Sequence, residues 1–89
     1  MKLYRNKLGE KLYPVCNWEN NHHKLYNAYD RAIIRCYEEN WSDEAYEERE
    51  RVEQALNAFD RYVINGIVYA TYEDSLTIKD IVAAYNARH

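Results

Sequence analysis

The chain has 89 residues, two cysteines, a formal net charge of -3 and a pI near 5.6. That length predicts one domain over residues 1–89 with a modest core, since a chain of this size buries only roughly 60–65% of its extended surface. It also holds no apolar run near the roughly 20 residues needed to cross a bilayer and no apolar signal segment at its start. The expectation is a cytoplasmic domain whose two cysteines stay reduced. The acidic balance argues against nucleic acid as the main partner.

Ten tyrosines stand against a single phenylalanine. Tyrosine packs like a large apolar group but needs a partner for its hydroxyl, so these rings belong at the boundary between core and water. Charge is divided along the chain. Residues 1–37 hold seven basic groups against three acids, whereas residues 38–53 hold eight acids against Arg49 and Arg51. The chain is electrically two-ended.

The tripeptide KLY begins at Lys2, Lys11 and Lys24, without a fixed period. MKLYR and KLYPV flank NKLGE and predict a β-hairpin, with Gly9 free to take positive φ in the loop. Pro14 cannot donate to a ladder, so the second strand is expected to end there or to lie at an edge. From about Asn20 the spacing turns helical. Leu25, Tyr29, Ala32, Ile33, Cys36 and Tyr37 form one stripe that stops near Asn40.

A second helix begins in WSDEAY. Ser42 is a good N-cap, Asp43 and Glu44 place negative charge on the positive end of the dipole, and Trp41 and Tyr46 stand at hydrophobic-staple positions. Val52, Ala55, Leu56, Phe59, Tyr62 and Val63 continue its buried stripe. Asn65-Gly66 is read as the left-handed C-terminus of that helix, in preference to a hairpin turn between RYVI and IVYA. IVYATY, residues 67–72, reads as a strand. The last helix is expected at LTIKDI, with Thr77 as cap and Leu76 stapled to Ile81. Ile78, Ile81, Val82 and Tyr85 form its buried side.

The predicted fold is α+β: a small antiparallel sheet, made of the N-terminal hairpin and one strand near 67–72, packed by a long helical hairpin and a C-terminal helix. The alternative is a three-helix bundle with a short hairpin. LTIKDIVAAYN also resembles the opening helix of the helix-turn-helix in lac-repressor-type regulators, through Thr77, Ile78, Lys79, Asp80 and Ile81. The glycine-containing turn and recognition helix of that family do not follow, so DNA binding is not carried over.

VCNWENNHHKLY, residues 15–26, gathers Cys16, His22 and His23. Zinc needs about four convergent ligands, and adjacent histidines on a helix point about 100° apart. The expected reading is the start of a helix, with Asn17 and Asn20 as turn and cap residues and the histidines on an exposed first turn. A Cys–His nucleophile would need an orienting group and oxyanion donors. No phosphate-binding glycine loop exists, because Gly9 and Gly66 are the only glycines. No enzyme activity, cofactor or metal is expected.

The remaining feature is EENWSDEAYEERERVE. On a helix it sets Asp43, Glu47 and Glu50 in one row with Glu44 and Glu48 beside them, and Glu47–Arg51 has the favourable i, i+4 order. Most such runs are solvated faces. The functional expectation is a non-enzymatic protein-binding module, accessory or inhibitory and of a phage or mobile-element type. It would dock a basic partner protein through Trp41, Asp43, Glu44, Tyr46, Glu47, Glu48 and Glu50. Two alternatives stand beside it: a weak nucleic-acid binder using Lys2, Tyr4, Lys11 and Tyr13, and a self-associating protein whose basic hairpin meets the acidic helix of another copy.

Overall fold

A computed structural model describes residues 4–88. Its elements run β1 (Tyr4–Arg5), β2 (Lys11–Asn17), α1 (Trp18–Glu38), α2 (Asp43–Phe59), β3 (Tyr62–Ile64), β4 (Ile67–Ala70) and α3 (Tyr72–Arg88). The fold is α+β, with a four-stranded antiparallel sheet ordered β1-β2-β4-β3 and three helices.

The first hairpin forms as its sequence predicts. Asn6 organises the loop: its side-chain oxygen accepts from Leu8 N and Glu10 N, and its carbonyl accepts from Gly9 N at 3.0 Å. Gly9 takes φ 82°, which an L side chain rarely adopts. Met1, Lys2 and Leu3 of the predicted first strand lie outside the described residues.

Contrary to the expectation from the sequence, β2 does not end at Pro14 and is not an edge strand. The strand continues to Asn17 and lies inside the sheet, between β1 and β4. The register shifts between Pro14 and Cys16. A bulge is one of the few places where a sheet tolerates a residue that cannot donate.

α1 follows β2 without a loop, two residues earlier than the spacing implied. Asn17 is the N-cap through its backbone alone, and Asn21 Nδ2 donates to the Asn17 carbonyl at 2.8 Å. Trp18 N donates to Gly66 O at 3.0 Å, which fastens the first turn of α1 to the β3–β4 turn.

α2 ends at Phe59, not near Val63. The tail of its predicted stripe is strand instead: Tyr62, Val63 and Ile64 pair with Tyr69, Val68 and Ile67. Asn65 and Gly66 both take positive φ, 53° and 78°, the geometry of a two-residue hairpin turn. The hairpin reading set aside on sequence grounds is therefore the correct one. Tyr-Val-Ile has strand preference, and Val63 is 42% exposed, so no helical core face continues there.

The strand predicted over residues 67–72 stops at Ala70, and α3 starts at Tyr72. Thr71 O accepts from Ser75 N at 2.8 Å. Thr77 is thus not a cap: it lies inside the helix, and its hydroxyl donates to the Glu73 carbonyl at 3.3 Å. Leu76 is exposed rather than stapled. Glu73 and Asp74 supply the acidic first turn instead.

The core gathers Leu25 and Ala32 from α1, Val52, Ala55, Ala58 and Phe59 from α2, Ile78 and Ile81 from α3, and Val68 and Ala70 from β4. Alternation along the strands sends Val68 and Ala70 into this core and Ile67 and Tyr69 to the opposite side of the sheet. Phe59 is fully buried at the centre, and its removal would be expected to cost about 3–5 kcal/mol. No helix among the described residues is long and apolar enough to cross a membrane.

Candidate functional site

The acidic stretch forms the corner where α1 turns into α2. Glu39 caps α1, and Asn40 and Trp41 both adopt left-handed backbone, φ 51° and 56°. Trp41 N donates back to Cys36 O at 2.6 Å, the six-to-one bond of a Schellman ending. Ser42 then caps α2: its Oγ accepts from Ala45 N at 3.3 Å and donates to Glu39 Oε1 at 3.1 Å. Beneath the turn, Cys36 Sγ donates to Ala45 O at 3.4 Å, and both residues are fully buried.

The turn projects aromatic rings. Trp41 meets Tyr37 edge-on at 5.5 Å between centroids and stands 6.5 Å from Tyr46, the predicted staple pair. Tyr37, Trp41 and Tyr46 are 69%, 45% and 43% exposed. Arg49 lies under the group, its guanidinium 5.9 Å from the Trp41 ring and 5.3 Å from the Tyr46 ring. Such cation–π contacts strengthen when water is excluded. Arg49 Nη1 also donates to Glu53 at 2.9 Å, while its buried Nε has no hydrogen-bond partner among the described residues.

The acids separate into two sets. Arg35 of α1 pairs with Glu39 and Glu48 and lies 3.7 Å from Glu44. Hydrogen bonds to Glu39 and, after it, Glu48 hold the Arg35 guanidinium above its ordinary value. The hydrogen bond from Arg35, and after it the bond from Ser42, hold Glu39 below the usual glutamate range. Glu44 and Glu48 therefore belong to a clamp between α1 and α2. Arg51 reaches Asp80 of α3 at 3.0 Å rather than the expected Glu47. Asp43, Glu47 and Glu50 have no ion-pair partner among the described residues and form an uncompensated acidic row beside the rings.

Of the predicted docking residues, Trp41, Tyr46, Asp43, Glu47 and Glu50 thus share one exposed surface. Tyr37 was missed, because its spacing placed it on the buried stripe of α1; its position four residues before Trp41 was the available signal. Arg35 and Arg49, which organise the corner, had no signal beyond lying a helical turn from acids.

The other candidates disperse. Cys16 is paired with Val68 on the core side of the sheet, and burial pushes its thiol up despite the nearby Lys24 charge. His22 stacks on Trp18 at 4.5 Å between centroids, and His23 turns edge-on to Tyr85 at 6.1 Å. Both histidines are in the second turn of α1, not the first. Among the described residues, no three His, Cys, Asp or Glu side chains converge on a metal-sized site. Tyr4 and Tyr13 occupy opposite faces of the sheet, since Tyr13 meets Tyr72 of α3 while Tyr4 meets Tyr69. Lys2 lies outside the described residues. A cleft of about 100 Å³ between the helices is lined by Arg31, Arg51, Asp80 and Arg88 over Val52 and Ile81. Part of its charge is already satisfied by the Arg51–Asp80 pair.

No protein-family model, curated protein or solved structure matches the chain.

Proposed function

We propose that the chain is a small protein-binding module that acts by docking rather than by catalysis. Its site is the α1–α2 corner, and its partner presents a basic segment with one or two apolar side chains. Trp41 carries this reading. A bulky residue in left-handed backbone costs roughly 1–2 kcal/mol, and here the strained residue holds an indole half in water between two exposed tyrosines. Strain of this kind is concentrated at functional positions. Exposed aromatics beside unpaired charge are the composition of an interface anchor. Asp43, Glu47 and Glu50 supply attraction for the basic partner and its orientation, while Arg35 with Glu39 and Glu48 keeps the corner rigid.

The test uses a panel of amphipathic Lys/Arg-rich peptides, followed by the fluorescence of Trp41 in a Trp18→Phe background. Binding should weaken as salt rises. It should disappear in the triple variant Asp43→Lys, Glu47→Lys, Glu50→Lys, with the circular dichroism spectrum retained. Equal binding by parent and triple variant would remove this surface from consideration.

A further inference from the structure

Each helix packs against the other two, and each contributes one arginine to the cleft between them: Arg31 from α1, Arg51 from α2 and Arg88 from the last turn of α3. Helical spacing explains the placement, because residues three and four apart share a face. Val52 directly follows Arg51, and Arg88 lies four residues beyond Ala84 and seven beyond Ile81. Val52 and Ile81 are buried and make the floor of the cleft, while the three exposed arginines make its rim.

Two acids line the cleft as well, and both are already engaged. Glu48 pairs with Arg35, and Asp80 pairs with Arg51 at 3.0 Å. Arg31 and Arg88 have neither an ion pair nor a side-chain hydrogen bond among the described residues. A chain with formal net charge -3 thus sets two uncompensated guanidinium groups on one concave surface. Low-dielectric walls concentrate the field of such charges inside a cleft.

We infer that this cleft binds a small phosphate monoester. Geometry selects the headgroup. A carboxylate accepts hydrogen bonds near one plane and suits a single guanidinium fork. The terminal oxygens of a phosphate point in separate directions, so they can take donors that arrive from three different helices. A monoester also carries roughly two negative charges near neutral pH, which matches the two uncompensated arginines. Volume limits the rest of the ligand. A cavity of roughly 150 Å³ accepts benzene, and this cleft, at about 100 Å³, holds the headgroup and a few further atoms resting on Val52 and Ile81. Nucleic acid fits less well. Its diesters carry one charge each and are held by many cations, whereas Glu48 and Asp80 interrupt the basic rim here.

Nuclear magnetic resonance titration of the isotope-labelled full chain, slightly above neutral pH and at constant ionic strength, tests the inference with phenyl phosphate, inorganic phosphate and benzoate. Phenyl phosphate should shift the amides around Arg31, Arg51 and Arg88 together along one saturable curve. Inorganic phosphate, which lacks the apolar body, should shift the same amides with lower affinity. Benzoate should bind at least about tenfold more weakly than phenyl phosphate, as expected for the loss of a charged hydrogen bond. Arg31→Gln and Arg88→Gln should each raise the phenyl phosphate Kd by about tenfold for the same reason. Both side chains are exposed, so these variants should keep the melting temperature of the parent. Arg61→Gln, at an exposed arginine outside the cleft, should leave the Kd unchanged. Absence of a saturable shift at millimolar phenyl phosphate, an equal loss in Arg61→Gln, or benzoate binding as tight as that of phenyl phosphate would each overturn the inference. So would a single-stranded oligonucleotide that binds more tightly than phenyl phosphate and is lost in Arg31→Gln, since the cleft would then be part of a nucleic-acid surface. The ranking of the three probes on the parent decides independently of any variant.

Discussion

Tyr4 and Tyr69 meet edge to face with ring centroids 5.1 Å apart, although the strands that carry them are not neighbours. β2 runs between those strands, so the two rings close over it. Leu12, which pairs with Tyr4, is only 7% exposed while lying outside the main core. The sheet therefore has a small second core on its outer side, walled by tyrosine.

Leu12→Ala should destabilise the protein by about 2–4 kcal/mol, because removing a buried leucine leaves a cavity that its neighbours only partly fill. Urea midpoints at constant slope would measure it. Since Leu12 shares no core cluster with Val52, its loss should add to that of Val52→Ala within about 0.5 kcal/mol. A cost for Leu12→Ala below about 0.5 kcal/mol, the level of an ordinary surface change, would show that the rings do not seal it.

Gly66→Ala isolates the conformational demand of the β3–β4 turn. A Cβ at Gly66 would meet no atom within 4 Å, so space is not the obstacle, but φ is 78°. The expected loss is about 1–2 kcal/mol, from backbone conformation alone. Asn65→Gly, which relaxes the adjacent positive φ, should be nearly neutral. If Gly66→Ala unfolds the chain as readily as a core deletion does, the turn has a further role that its geometry does not explain.

The Arg35 clamp predicts a pH response. Glu39 is held below the usual glutamate range, chiefly by its hydrogen bond from Arg35. A carboxyl with a lower value in the folded than in the unfolded state binds fewer protons when folded, so raising pH favours folding. The contribution is complete above the unfolded value of about 4.3 and is lost as pH falls through the lower folded value. Both side chains are partly exposed, so the effect is small. Melting temperatures recorded between about pH 6 and pH 3 should fall for the parent and less steeply for Arg35→Gln, the two curves converging in acid. Parallel curves would mean that Arg35 does not govern this carboxylate.

Much of the frame could be read from residue order. The first hairpin followed from Gly9 between two KLY segments, and α1 and the start of α2 from three- and four-residue spacing and the Ser42 cap. What failed was the length of α2. Tyr62 and Val63 continue the helical spacing, but spacing does not separate one further helical turn from three residues of an edge strand. The Asn-Gly pair admits both endings. The same ambiguity hid the start of α3, because Tyr72 suits a strand as well as a helix, and Thr77 imitates a cap inside a helix already under way.

The docking surface was half legible for a related reason. Exposed acids and aromatics can be picked out in a sequence, yet which acids are neutralised depends on the partner helix. Glu48 is spent on Arg35, and nothing within α2 reveals it. Tyr37 was hidden because it continues the buried spacing of α1 beside Cys36, yet it stands 69% exposed. The outer sheet face needed the β2–β4 register, which the Pro14 bulge shifts by one residue, before Tyr69 could be set beside Pro14 and Tyr62.

α1 leaves the sheet directly, its first residue following the last of β2, and runs 21 residues before the corner. At 1.5 Å per residue that is about 31 Å of helix. The helix is thus a strut with the sheet at one end and the acidic, projecting corner at the other. A ligand small enough to cover one end leaves the other accessible, so occupancy at the two ends is sterically independent.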